Sequence, residues 1–362
     1  MQRVSCVICE SPTLESFYTI EKFPLTACST EHTSELDIFN DLVFKVCKDC
    51  RCVQLTSLVD PVTLYADDNK TALTPLWKKH HTQFTAFIES AADLGDVCEI
   101  GGGSNPLVQF FSSPPPYSVM DLYECPNKVP SITYTIGNCE TFTEYTTRSV
   151  ILSHTFEHLY EPRKFLDSIR ASGVKNVFIS VPNFAAWLAK HLTTSILFNQ
   201  HTFYFEQRDI ETLFALYGFE TVRSEVFGDH SLFFHFQRGA PAQLPILRSP
   251  SDTALFRHFD NRVTHIRALE LNEQVYIMPS FYVGQIVYHY IRDKDKVIGF
   301  LDNDTNKIGK RLYGTPLSTY SPSVLASSSK TVIVARTPYY NEMIQQLKTI
   351  NSDINVVTIE LN

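Results

Sequence analysis

The sequence predicts an α/β protein built in three parts, and three observations carry that expectation. From Val97 to about Arg238, strand-like apolar runs alternate with runs of helical periodicity, the pattern of a mostly parallel sheet covered by helices. Within it, the apolar run from Val97 to Ile100 stops against Gly101-Gly102-Gly103, which reads as a strand entering a tight turn where missing side chains let backbone approach a ligand. A smaller α/β pattern follows after residue 272, and two C-x2-C pairs precede the whole. The chain of 362 residues is too long for one typical domain. The expected division is 1–70, 71–238, a linker with a helix over 239–272, and 273–362.

Taken in order, the N-terminal part holds Cys6 and Cys9, then Cys47 and Cys50, with 37 residues between the pairs. A C-x2-C turn sets two thiolates on one side of an ion, and two such turns complete a tetrahedral zinc site. All four positions would then be protein thiolates, leaving none for water, so the metal is expected to be structural. Disulfides are the competing explanation, set against the lack of an apolar signal-peptide core after Met1. Cys52 sits close enough to the second pair to be mistaken for a ligand, and Cys28, Cys98, Cys125 and Cys139 read as small buried hydrophobes. Pro24, Thr26 and the polar run Ser29 to Ser34 suit a loop between the pairs.

A helix is expected over Pro75 to Ala92, where Leu76, Trp77, His80, Phe84, Phe87 and Ile88 recur at helical spacing. Then comes the glycine turn. Glu99 stands just before it, where a carboxylate would meet a cationic ligand and would repel the pyrophosphate that uses such turns in dinucleotide enzymes. Asp121 closes the next strand, Tyr117 to Asp121, in position to accept ribose hydroxyls, with Glu124 as a fallback. Asn138 and Glu140 follow the Ile132 to Ile136 run and would face an adenine edge, although polar turn residues are common there. Strands over Val150 to Ser153 and Asn176 to Val181 alternate with helices over Pro162 to Ala171 and Arg208 to Tyr217. Thr221 to Phe227 and Ser231 to Gln237 flank Gly228-Asp229 as an antiparallel hairpin at the sheet edge. Gly239 to Pro245 has linker composition. After a helix near Thr253 to Leu271, the last pattern comprises Gln274 to Met278, Val283 to Ile291, Lys296 to Asp302 and Thr331 to Ala335.

Composition narrows the partners. A net charge of −8 offers no general attraction for nucleic acid or anionic membrane, and no basic stripe with interleaved aromatics offsets it. No run approaches the ~18 apolar residues of a membrane helix. A cytoplasmic protein with a small-molecule substrate is expected; its oligomeric state is not legible.

The glycine turn, together with Ser153-His-Thr-Phe-Glu-His158, resembles the cofactor end of S-adenosylmethionine-dependent methyltransferases. In module order the chain resembles the three-domain sugar C-methyltransferases, which join a zinc-binding module, a class I methyltransferase domain and a Rossmann-like C-terminal domain. The paired C-x2-C turns, Val59-Asp-Pro-Val-Thr-Leu-Tyr65, Glu99-Ile-Gly-Gly-Gly103 and the run Val297 to Leu317 carry that resemblance. It implies S-adenosylmethionine held by Glu99, Gly101, Gly103, Asp121, Asn138 and Ser153, structural zinc on Cys6, Cys9, Cys47 and Cys50, and a nucleotide-linked deoxysugar as substrate. His201 would be the base that removes a proton next to a ketone, since neutral imidazole can accept one near pH 7. His158 would donate to the enolate oxygen, and Tyr65 matches a catalytic tyrosine of the family. Two departures stand out: Gln200 replaces the family's acid before His201, and Asp67-Asp-Asn69 replaces a second aromatic cluster. The C-terminal part lacks a glycine-rich turn, so it is expected to help hold the sugar nucleotide and to bind no dinucleotide. O-methylation of a sugar or glycan hydroxyl, which needs only a base, and a non-catalytic sugar-nucleotide-binding protein are the alternatives. Tyr204 and Asn183 are lesser candidates for sugar contacts.

Overall fold

The structure is a computed structural model that describes residues 1–65, 73–103, 105–125, 128–189, 197–242, 251–328, 330–337 and 339–359. Asp67-Asp-Asn69 and the end of the expected linker, 243–245, lie outside the described residues.

The first 65 residues contain β1 (Leu14–Pro24), β2 (Ser29–Thr30), β3 (Phe39–Cys47), β4 (Val53–Leu55) and the one-turn helix α1 (Pro61–Leu64). β1, β3 and β4 pair antiparallel in that order. Leu42, Phe44 and Val46 alternate inward along β3, as the two-residue period of a strand requires. Asp60 accepts from the Thr63 amide at 3.2 Å and caps α1, which opens on Pro61.

Helix α2 (Pro75–Glu89) starts at a Thr74 cap and buries His80, Phe84, Phe87 and Ile88 of the predicted face together with His81, which the spacing did not mark, while Leu76 and Trp77 are half-buried. The central sheet then takes β5 (Val97–Ile100), β6 (Tyr117–Asp121), β7 (Thr133–Ile136), β8 (Ser149–Ser153) and β9 (Asn176–Pro182). These pair in parallel in the order β9-β8-β5-β6-β7. β11 (Phe219–Phe227) and β12 (Ser231–Arg238) form the expected hairpin, with β12 antiparallel to β9 and β11 at the edge. α3 (Pro162–Ala171), α4 (Phe184–Ala189) and α5 (Gln207–Leu216) lie among these strands in the chain. Chain order reverses between β5 and β8, and in an open parallel sheet the crevice outside the carboxyl ends at such a switch is where ligands bind.

After α6 (Ser251–Arg267), a third sheet runs β16-β14-β13-β17-β18 with all pairings parallel: β13 (Val275–Met278), β14 (Val297–Leu301), β16 (Thr319–Tyr320), β17 (Thr331–Val334) and β18 (Val356–Thr358). The apolar run from Val283 to Ile291 is mostly helical, α7 (Tyr282–Tyr290), and α8 (Tyr340–Ile350) precedes the last strand.

The three parts are stitched together in a way the sequence division did not anticipate. β10 (Phe203–Tyr204) follows β9 and α4 in the chain, yet pairs antiparallel with β4 and completes the N-terminal sheet. β15 (Arg311–Leu312), between β14 and β16 in the chain, pairs with β2. Arg311 also makes a bidentate pair with Asp37, at 2.6 and 2.8 Å.

Candidate active site

At the carboxyl end of β5, Gly101 and Gly103 have φ of +74° and +53°, the left-handed region that glycine enters without Cβ strain. A Cβ on Gly101 would also stand 2.6 Å from Thr155 Oγ1. Gly101 N–H donates to Met120 O at 2.8 Å and Gly103 N–H to Asp121 Oδ2 at 2.9 Å, so Asp121 braces the turn as well as facing the crevice. Glu99 is fully buried; its carboxylate accepts from Leu107 N–H at 3.0 and 3.2 Å and from Tyr117 OH at 2.9 Å. Burial pushes its carboxyl up to about 8 against those two donors. Asn138 Oδ1 accepts from Glu140 N–H at 2.8 Å. Ser153 Oγ is buried without a hydrogen-bond partner.

Across the crevice, β8 runs into a turn of 3-10 helix, Phe156–His158, and the chain returns to it at His201. Tyr65 OH lies 3.0 Å from His158 Nδ1. The His158 and His201 rings stand edge to face at 5.1 Å, and Phe198 and Phe184 cover His201 at 4.2 and 5.7 Å. Glu157 is wholly buried, neither carboxylate oxygen has a hydrogen bond, and Oε1 lies 3.3 Å from His154 Nδ1 and 3.8 Å from His158 Nε2. Burial raises its carboxyl to about 7.

The two segments are held by the N-terminal part. Thr202 N–H donates to Glu157 O at 3.0 Å, and Leu55 N–H of β4 donates to Thr202 O at 2.9 Å. The buried Arg3 guanidinium donates to Leu55 O, Thr202 O and Tyr160 O at 2.9, 2.6 and 2.7 Å. Asn199 Nδ2 donates to Pro24 O and Leu25 O, both at 3.2 Å. Neither Arg3 nor Asn199 was legible as a site residue, because their partners are backbone carbonyls distant in sequence.

A ring of imidazoles around Trp77 was also missed. His80, His81, His154 and His230 lie 5.1, 5.7, 4.8 and 4.9 Å from it. Helical spacing marked Trp77 and His80 as an inward face, but nothing linked them to residues 154 and 230.

The four predicted metal ligands come together. Cys6 Sγ and Cys50 Sγ are 3.5 Å apart, as are Cys9 Sγ and Cys47 Sγ, and all four lie within 4.8 Å of one another. Tetrahedral zinc with bonds of ~2.3 Å has sulfur–sulfur edges of about 3.8 Å, so the cluster fits that ion. The two turns match: Glu10 N–H closes onto Cys6 O and Arg51 N–H onto Cys47 O, and Glu10 and Arg51 have φ of +61° and +66°. Cys52 is not one of the clustered four, and its Sγ donates to Val53 O and Tyr204 O at 3.6 and 3.5 Å.

One cavity of about 1290 Å³ joins the glycine turn to the histidine segment. Glu99, Gly101, Gly103, Asp121, Asn138 and Ser153 line one end; Tyr65, His158 and His201 line the next stretch; Phe281, Asp302 and Lys307 lie on the wall from the C-terminal part. Lys307 Nζ donates to Asp302 Oδ2 at 2.9 Å and is already paired. Tyr204 and Asn183 are not on this wall: Tyr204 is buried within β10, and Asn183 Oδ1 accepts from Ala186 N–H at the start of α4.

Residues 74–224 match the family described as Methyltransferase domain. Among solved structures, the chain is similar to magnesium protoporphyrin IX methyltransferase from Synechocystis with bound S-adenosylhomocysteine, at 12% identity over 47% of this chain and 90% of that one, TM-score 0.35. It is similar also to 1,6-didemethyltoxoflavin-N1-methyltransferase from Burkholderia thailandensis, at 13% identity over 54% and 98%, TM-score 0.37. A third is the N-methyltransferase NodS from Bradyrhizobium japonicum, at 13% identity over 50% and 93%, TM-score 0.35. No curated protein matches the chain. No helix among the described residues is long and apolar enough to cross a membrane.

Proposed function

We propose that this S-adenosylmethionine-dependent methyltransferase, whose methyltransferase domain spans residues 74–224, methylates a nucleotide-linked sugar at the carbon beside a ketone, with His201 as the base. One observation carries the reading. The cavity that begins at the glycine turn continues past Tyr65, His158 and His201 to the C-terminal sheet, and its volume exceeds the ~300–1,000 Å³ of a pocket for one small ligand. It has room for a methyl donor and a second, elongated molecule.

S-adenosylmethionine supplies a methyl group on a sulfonium. Glu99 and the glycine turn suit its amino acid end, Asp121 its ribose, Asn138 its adenine, and Ser153, on the same wall, has an unpartnered Oγ. The remaining work falls to the acceptor side: remove a proton from carbon, stabilise the oxygen charge that develops, and exclude water. His201, covered by Phe184 and Phe198, would accept the proton. His158, backed by Tyr65 OH, would donate to the enolate oxygen. Zinc on Cys6, Cys9, Cys47 and Cys50 would have no open position for substrate; it would hold the end of β3 and the start of β4, and through the β4–β10 pairing the segment that carries His201.

Gln200, on the cavity wall where the family has an acid, favours O-methylation of a sugar hydroxyl as the second reading. The test is a methyl-transfer assay against nucleotide-linked 4-keto and 4-hydroxy sugars, read by mass spectrometry, with the substrate incubated in deuterated water. Incorporation of deuterium beside the ketone, lost in His201→Ala, supports carbon methylation. Methylated product without exchange supports oxygen. No product from any nucleotide sugar refutes both.

A further inference from the structure

We infer that Glu157, His158 and His201 form a second metal site, distinct from the four cysteines, that takes one divalent first-row transition ion such as Zn²⁺ or Co²⁺. One ligand atom from each of the three residues lies within 4.8 Å of the others. Ligand bonds of ~2.0–2.2 Å place the corners of a tetrahedron about 3.4 Å apart, so the 3.8 Å between His158 Nε2 and Glu157 Oε1 needs only a few tenths of an ångström of closure.

Charge is the stronger argument. Glu157 is 0% exposed and neither oxygen has a hydrogen bond. Burying a polar group without a hydrogen bond is costly, and a carboxylate far more so; the nearest imidazole, His154 with Nδ1 3.3 Å from Oε1, makes none. Among the described residues of the cavity wall the only lysine or arginine is Lys307, which is paired with Asp302. A cation between Glu157 and the two imidazoles would satisfy the carboxylate. The contact between Tyr65 OH and His158 Nδ1 is the outer support that metal-binding imidazoles commonly have, leaving Nε2 toward Glu157. Two imidazoles and a carboxylate suit zinc, cobalt, iron or manganese, whereas four thiolates select softer ions. With three protein ligands on a cavity wall, at least one coordination position faces the substrate space.

The ion and the base then compete. A nitrogen of His201 that binds metal cannot accept a proton, so a loaded site would slow carbon methylation; this consequence, unlike the site itself, rests on the function proposed above.

The test counts metal in the full-length protein equilibrated with excess Zn²⁺ and desalted. Wild type should hold two ions per chain; Glu157→Gln and His201→Ala should hold one, with affinity at the second site lowered more than tenfold. Glu157→Gln keeps the side-chain volume, and its melting curve reports folding separately. Co²⁺ added to protein whose thiolates already hold zinc should give a d–d band without thiolate charge transfer, lost in both variants. One ion per chain in wild type and variants alike, or a cobalt band unchanged by either substitution, overturns the site. If the second ion binds and carbon methylation proceeds at full rate, the site stands and His201 as base fails. If no second ion binds and His201→Ala still abolishes exchange, the base stands and the site fails.

Discussion

Replacing Arg3 with methionine should cost both stability and turnover while leaving donor binding intact. Its guanidinium is buried, and burial lowers its pKa to about 10, so the fold bears a desolvation penalty to keep a charge there. In return it donates to three carbonyls on three segments: Leu55 of β4, Tyr160 beyond His158, and Thr202 beside His201. Methionine keeps the aliphatic stem and strands the Leu55 and Tyr160 carbonyls, while Thr202 O keeps the Leu55 amide. Leaving a buried acceptor unmet costs about 1–3 kcal/mol each, and relief of the desolvation penalty returns part of that. A net loss of roughly 2–4 kcal/mol is expected, or about 4–16 °C in Tm at the ~2–4 °C per kcal/mol of a domain of 150–250 residues. Because the same contacts fix where His158 and His201 stand relative to one another, a slip of ~1 Å should lower kcat by ~100-fold. Hydrogen exchange should rise at Phe203 and Tyr204 first. Calorimetric affinity for S-adenosylmethionine should be unchanged, since the glycine turn bonds to Met120 and Asp121. An unchanged kcat at reduced Tm, or donor affinity falling in step with kcat, would refute the reasoning.

Two further predictions concern the donor end. Burial raises the Glu99 carboxyl to about 8 from an ordinary value near 4.5, so at pH 7 it is mostly protonated, and binding a cationic donor should expel close to one proton. Titration calorimetry in buffers of different ionisation enthalpy should show this release, donor affinity rising toward pH 8, and both effects lost in Glu99→Gln. The stability sign follows: with the folded value above the unfolded one, Glu99's contribution is full below about pH 4.5 and is lost as pH rises through about 8. Gly101→Ala and Gly103→Ala should separate clash from backbone strain. At Gly101 a Cβ meets Thr155 Oγ1 at 2.6 Å and donor affinity should fall by well over tenfold. At Gly103, with nothing nearer than 3.9 Å, only the left-handed cost of ~1–2 kcal/mol applies. Equal losses in the two variants would count against this geometry.

The clustering of Glu99, Gly101, Gly103 and Asp121 was legible because they belong to two neighbouring strands and one turn. Even there Tyr117 was missed as a partner of Glu99. The register pairs Glu99 with Val119, which brings the tyrosine two residues earlier onto the same face, and a single chain does not display that register. The cysteine pairs were legible because C-x2-C encodes its own geometry. Tyr65, His158 and His201 were legible as candidates that meet on one cavity wall, and their supports were not. β10 has two residues, too short for any periodicity to announce it, and an arginine at position 3 reads as a solvated terminal charge until three carbonyls surround it.

The arrangement of these supports explains why acceptor chemistry and donor binding should separate. N-terminal residues bond to segments that lead into both sides of the acceptor space: β4 pairs with β10, which follows His201, while β2 pairs with β15, which follows Lys307, and Asp37 holds Arg311. Gln285 of α7 donates to Thr26 O and Tyr313 O at 2.8 and 2.6 Å, and Tyr282 at the start of the same helix packs on Phe23 and Phe198 at 5.6 and 4.9 Å. Phe198 in turn covers His201. The donor turn uses none of these bonds; its own run within the central part, from Gly101 to Met120, Gly103 to Asp121 and Glu99 to Leu107 and Tyr117. On the proposed function, a change in the N-terminal part should therefore reach His201 and the C-terminal wall most directly, with the bond from Tyr123 OH to Pro61 O as a link toward the donor end.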